Sequence, residues 1–314
     1  MSVGISLSQL LVDNPEPLPS GIEALDECLG DGFQARSIYE IYGPPGVGKT
    51  RLGLQLVERA QGNALWIETF KPMPSGLLSP ATKDKCLHTR CTKFTQLLYL
   101  FRWLLLRAQD EPEKQADRQL VVIDGFSQLV CDHMYHLQAR SSDRNMHDIK
   151  CRHLIAIFTA ITKFTHSTKS TVLLLDHCMN TSFQNGSAGT FEQDLDVVDD
   201  GFNFFVTSST TKRVQVLKSA LTAGGVGMGS RDSRWEAFLD RRIALFWDWD
   251  RASKSGDHRP HLPLKKTRIA FVTSAGSPGR SNPIVIPWQE WHNERPISTS
   301  KPTELDEVVW DSEG

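Results

Sequence analysis

Apolar residues in this chain gather into short unbroken runs, separated by longer segments in which they recur every three or four positions. Runs of the first kind occupy 37–42, 64–69, 120–124 and 171–176, and they are rich in Ile, Val and Leu. Such runs predict strands buried on both faces, as in a parallel sheet. Residues 52–59, 94–107 and about 151–164 carry the helical spacing instead. Alternation of the two predicts an α/β fold, a mainly parallel central sheet flanked by helices.

The remaining pattern is punctuated by turn residues. Ile22, Leu25 and Leu29 have the spacing of a short helix that stops at Gly30 and Gly32, and Pro72 and Pro74 close the run that begins at Ala64. A polar linker is expected over 109–118. Residues 180–200 are rich in Asn, Gly, Ser, Thr and Asp, too long for an ordinary connection, and read as mobile or ligand-gated. Two more strands are expected at 243–247 and 268–273. Glu304, Asp306, Glu307, Asp311 and Glu313 stand in a terminal stretch without a base, which reads as a disordered acidic tail. The expected organisation is an N-terminal segment over 1–17, apolar enough over 5–12 to serve in docking or equally to pack on its own core, a core over 18–290 and a tail over 291–314.

Composition narrows this picture only modestly. With 39% hydrophobic and 23% charged residues the chain has the makings of a sizeable core. A net charge of −2 gives no global field for nucleic acid, so any such contact needs a local patch. Six cysteines without a C-x-x-C pair point to free thiols in a reducing compartment. Apolar runs such as 97–106 fall short of the roughly 20 residues that span a bilayer, so no membrane role is expected.

The chemistry concentrates in one motif. Gly43, Pro44, Pro45, Gly46, Val47, Gly48, Lys49 and Thr50 fit G-x-x-x-x-G-K-T, placed between a predicted strand and a predicted helix. In such a loop backbone N–H groups turn inward around phosphates, the lysine reaches the β/γ oxygens and the hydroxyl holds Mg²⁺. Asp124, ending an apolar run, fits the second carboxylate such sites use for Mg²⁺. Glu68, at the end of the run after the loop's helix, is the candidate to orient an attacking water, or else merely caps its strand. Asp176 and His177 could sense a γ-phosphate from the end of the third strand, or simply satisfy a turn.

Weaker patterns remain open. Cys86, His88 and Cys91, and Cys131, His133 and His136, include metal-ligand types without the paired spacing of structural zinc. Basic residues cluster at Arg140, Arg144 and Lys150, and at Lys212, Arg213, Lys218, Arg231 and Arg234, around the glycine-rich stretch 224–229. These are candidates for DNA contact, or a solvated charged surface.

Ser20-Gly21 with Leu25-Asp26, Leu29-Gly30-Asp31-Gly32-Phe33, the loop itself, Trp66-Ile67-Glu68-Thr69 and Val121-Val122-Ile123-Asp124 together resemble the ATPase core of the RecA/RadA recombinase superfamily. Stretches 32–41 and 124–129 are similar to a fungal recombinase paralogue. The resemblance runs from near Leu18 to about Arg251. It implies a RecA-like P-loop ATPase core that takes ATP and Mg²⁺, and a heterodimer with a second recombinase paralogue. It further implies a nuclear mediator that assists recombinase filaments on single-stranded DNA during double-strand-break repair.

Three departures matter. The segment before Gly43 is too short for the recombinases' N-terminal helical domain. Phe70 falls where they place their catalytic glutamate. Asp176-His177-Cys178 stands where they place a glutamine. Weak hydrolysis is therefore expected, with an autonomous DNA-stimulated ATPase or strand-exchange enzyme, and a clock or signalling kinase on the same core, as the alternatives.

Overall fold

The computed structural model describes residues 15–110, 118–139, 146–185, 204–208, 211–221, 234–249, 266–274 and 284–286. Strand β1 (Ile38–Gly43) lies inside the sheet, and helix α1 (Glu23–Leu29) precedes it. After β1 come α2 (Lys49–Arg59), β2 (Asn63–Glu68), α3 (Pro80–Lys85), β3 (Cys86–Arg90), α4 (Phe94–Asp110), β4 (Arg118–Asp124), α5 (Phe126–Gln138), α6 (Met146–Thr168) and β5 (Thr171–Asn185). Strands β6 (Phe204–Ser208), β7 (Thr211–Ser219), β8 (Arg241–Trp249), β9 (Lys266–Ser274) and β10 (Ile284–Ile286) complete the described strands, and short 3₁₀ turns lie at Ser75–Leu77 and Arg234–Phe238.

The strand order is β10-β9-β8-β1-β5-β4-β2-β3, parallel from β8 through β3, with β9 and β10 added antiparallel at one edge. This is the mainly parallel, helix-flanked α/β sheet that the apolar runs predict, and it is a RecA-like P-loop core.

Alternation along each strand feeds two cores. Leu173 and Leu175 of β5 join Ile41, Leu52, Leu56, Trp66, Ile243 and Leu245 under α2. Val172 and Leu174 turn the other way, to Val121, Ile123, Phe101, Phe158 and Phe164 under α4, α5 and α6. All six positions of β1 are buried, so an apolar run rather than an alternating pattern is what such a strand must show.

One charge interrupts that run. Glu40 is wholly buried and accepts from Arg242 Nε at 2.6 Å and from the Ser219 hydroxyl. The Arg242 guanidinium lies over the rings of Tyr42 (5.6 Å) and Trp235 (6.0 Å). Burial works against its charge, and Glu40, Tyr42 and Glu236 more than offset this, holding its pKa above the ordinary value. The pair ties β1, β8 and the end of β7 together in a part of the sheet where an unpaired carboxylate would be very costly.

Of the places where the structure departs from the apolar pattern, three border the parallel sheet. β5 does not stop at Asp176 but continues to Asn185, pairing antiparallel with β7, which pairs with β6. Part of the expected long loop at 180–200 is therefore strand, because its backbone finds partners in β7 despite polar side chains. Residues 186–200 of it lie outside the described residues. The second departure is β3, an edge strand with four of its five residues wholly or partly exposed, whose sequence CLHTR carries no apolar run. The third is α5, which begins immediately after Asp124-Gly125. The expected tail at 291–314 and the residues 1–14 also lie outside the described residues.

Candidate functional site

β1 ends at Gly43 directly beside β8. A side chain there could not fit, since a Cβ would lie 2.1 Å from the Leu245 carbonyl oxygen. The loop then turns through Gly48, whose φ of 108° is open to glycine alone among common residues, and α2 starts at Lys49. The N-terminus of α2 thus faces the loop with its free N–H groups, an arrangement suited to phosphate.

Lys49 is 8% exposed, and its Nζ donates to the carbonyl oxygens of Gly43 (2.7 Å) and Pro44 (2.9 Å). Burial lowers its pKa, opposed by Cys178, Asp124 and Asp176. The ammonium therefore sits folded over the mouth of the loop, within its own loop's carbonyls, where a phosphate oxygen would be a stronger partner.

Next to it, the Thr50 hydroxyl donates to Asp124 Oδ2 at 3.2 Å. Burial raises the Asp124 carboxyl above its ordinary value, while Thr50, Lys49 and Lys71 pull it back. A hydroxyl and a carboxylate converging beside a phosphate loop form the donor set that fits Mg²⁺. The Thr69 hydroxyl donates to the Asp124 carbonyl at 2.5 Å and locks the chain after β2 against the end of β4.

These groups line one cleft of about 360 Å³, together with Phe70, Lys71, Gln128, His177 and Arg268. Glu68 is not among its lining residues. It faces Asp124 in the β2–β4 register, and its Oε1 accepts from the Met73 N–H at 2.7 Å, so its carboxylate holds the following turn. Phe70, 37% exposed, occupies the cleft instead.

Asp176 and His177 part ways. His177 lines the cleft, its pKa lowered by burial and by Lys49 and Lys71, so it is neutral at pH 7. Asp176 is fully buried and accepts from the Ser127 N–H at 2.6 Å. Burial, and then Glu40, raise its carboxyl well above the ordinary value.

Among the described residues no three His, Cys, Asp or Glu side chains are grouped to hold a metal. Cys86 and Cys91 are buried thiols of raised pKa, whereas His88 is exposed. His133 meets His153 of α6 at 3.0 Å and stacks on Phe94, a contact joining three helices. Of the basic candidates, Lys212, Arg213 and Lys218 fall on β7, and Arg234 opens the short 3₁₀ turn Arg234–Phe238. Lys150, named with them, donates from α6 to the Leu221 carbonyl at 2.8 Å. Arg140, Arg144 and Arg231 lie outside the described residues.

Lys71, Gln128 and Arg268 escaped sequence reasoning. Lys71 and Gln128 follow the ends of β2 and β4 by a few residues, which is a usable signal, because such sheets gather ligands at their C-terminal edge. Arg268 carries no such signal until β9 is placed beside β8.

Comparison with known proteins agrees with this architecture. A family model described as "ATPase: KaiC" matches residues 18–64, the stretch holding β1, the loop and α2. The chain is 50% identical over 272 residues to the DNA repair protein RAD55 of Saccharomyces cerevisiae, a match covering 80% of this chain and 66% of the yeast protein. It is 40% identical over 55 residues to the DNA repair and recombination protein RadB of Halobacterium salinarum, covering 17% of this chain and 23% of that protein. The chain thus spans a little under two thirds of the yeast relative's length. Fold, phosphate loop and relatives together place this chain in the RecA/RadA superfamily of P-loop ATPases, with its similarity to the recombinase paralogues within it.

Proposed function

We propose that this chain is the ATP-binding subunit of a recombination mediator, promoting or stabilising recombinase filaments on single-stranded DNA during double-strand-break repair in the nucleus. The observation that carries the reading is the asymmetry of the cleft. The residues this proposal assigns to Mg²⁺-ATP, Lys49 for the phosphates and Thr50 and Asp124 for the metal, line it together, while Phe70 stands where the resemblance puts a catalytic acid. Thr50 and Asp124 would hold a Mg²⁺ whose chemistry there would be to neutralise phosphate charge. Glu68 would have to leave the Met73 N–H to act as a base. Hydrolysis in this reading is weak, and the nucleotide serves as a structural ligand that stabilises a complex by mass action.

The partner is a second recombinase paralogue, the pair then engaging the filament. Residues 18–290 act as the core, with 1–17 as a docking segment and 291–314 as an acidic tail. An exposed apolar stripe on α4, Tyr99, Trp103 and Leu106 at 68%, 52% and 60% exposure, supports a protein partner. DNA contact is assigned to the basic residues. Lys212, Arg213 and Lys218 lie on β7, the strand paired with the outer half of β5, and β5 itself runs out of the cleft past His177. That continuity supports a link between nucleotide and DNA.

The test is the lifetime of the paralogue heterodimer with and without Mg²⁺-ATP, for the natural chain and for Lys49→Ala. Loss of nucleotide binding with a shortened lifetime supports the proposal. Loss of binding with an unchanged lifetime would refute the structural-ligand role.

A further inference from the structure

The cleft has a second end, on the far side of β1 from Asp124. Asp124 closes β4, reached from β1 by way of β5, whereas Arg268 stands on β9, reached from β1 in the opposite direction by way of β8. Because β9 runs antiparallel to β8, the start of β9 lies at the same sheet edge as the phosphate loop, with Arg268 opposite Trp247 in the register. Trp247 also packs against the α2-side core, whose β9 members Ala270 and Val272 share the alternation of Arg268, so Arg268 is on the loop's face of the sheet.

Arg268 is only 7% exposed, unusual for arginine. Its guanidinium lies over the Trp247 ring, 4.6 Å from the centroid, and the residue also lines the cleft. A planar cation already stacked on one face and set at the edge of a cleft is a preorganised platform for a second flat π-system. Were the metal-bound end of a triphosphate held at Thr50 and Asp124, the opposite end of the cleft, toward β8 and β9, would be open to the nucleoside.

We infer that Arg268, backed by Trp247, is the base-stacking residue of the site, taking the purine ring of a nucleoside triphosphate and contributing to affinity through the base and not through the phosphates. This rests on the loop being a nucleotide site. An arginine serving the phosphates would instead favour every polyphosphate alike.

Two probes separate these cases, Mg²⁺-ATP and Mg²⁺ with inorganic tripolyphosphate, each titrated calorimetrically into the full chain. Arg268→Ala is expected to weaken ATP about tenfold, or about 1.4 kcal/mol, within the range of a desolvated cation–π contact. Tripolyphosphate binding is expected to stay within about twofold, which also reports that the loop is intact. Arg268→Lys keeps the charge and stem, loses the planar face and is expected to give the same selective loss, so it serves if the alanine variant fails to fold. Equal weakening of both probes, or unchanged ATP affinity in both variants, would overturn the inference. Failure of the natural chain to bind either probe would instead overturn the nucleotide reading beneath it.

Discussion

At the scale of single residues, the buried acids separate structural charge from functional charge. Glu40 is ion-paired with Arg242 and hydrogen-bonded by the Ser219 hydroxyl, so its role is to hold β1, β7 and β8. Removing only its partner, in Arg242→Met, leaves a carboxylate stranded and is expected to cost about 3–5 kcal/mol in chemical denaturation. The double variant Glu40→Met with Arg242→Met should recover much of that loss. Asp176 behaves differently, because burial and Glu40 favour its protonated form. Its folded pKa lies above the unfolded one, so its contribution is full below the unfolded value and is lost as pH climbs through the folded value. Asp176→Asn mimics the protonated acid. Its melting temperature relative to the natural chain is expected to rise from pH 5 to pH 8; a pH-independent difference would contradict the assignment. Asp124 also has a raised carboxyl pKa, yet metal binding needs it ionised, so Mg²⁺-ATP affinity is expected to increase as pH rises through that pKa, and Asp124→Asn should abolish the dependence.

At the scale of elements, the sheet decides both what was readable and what was not. β1, the middle of β2, and β4 and β5 over 120–123 and 171–176 are buried on both faces, and such stretches must be nearly continuous apolar runs, which is why 37–42, 64–69, 120–124 and 171–176 could be placed from the apolar pattern alone. The phosphate loop was equally legible, since its glycines answer to geometry: Gly43 to the nearby Leu245 carbonyl, Gly48 to a positive φ. Gly43→Ala would push β1 from β8 and is expected to lower stability by about 1–3 kcal/mol in denaturant titration, with nucleotide binding impaired as well. The edge strand β3 was illegible because an exposed edge requires no apolar pattern. The continuation of β5 was missed because its partner β7 lies far along the chain. Arg268 was missed for a related reason: its position depends on β9 folding back along β8, a contact that no local pattern encodes.

At the scale of the whole molecule, the RecA-like core brings Lys49, Thr50 and Asp124, the residues proposed for phosphate and metal, into one cleft at the edge of the sheet, with no other carboxylate lining it among the described residues. Binding without rapid turnover is what that arrangement favours. The acid turned away, Glu68, holds the turn at Met73, so Glu68→Gln is expected to leave any residual turnover within a few fold while reducing stability modestly. A large drop in turnover would place it in the chemistry.

The most direct measurement is nucleotide binding and turnover side by side, on the chain alone and with the proposed paralogue partner, with and without single-stranded DNA. The expected result is saturable Mg²⁺-ATP binding with turnover far below about 1 s⁻¹, the lower end of ordinary enzyme rates. DNA-stimulated turnover at or above that rate would contradict the account and identify an autonomous ATPase.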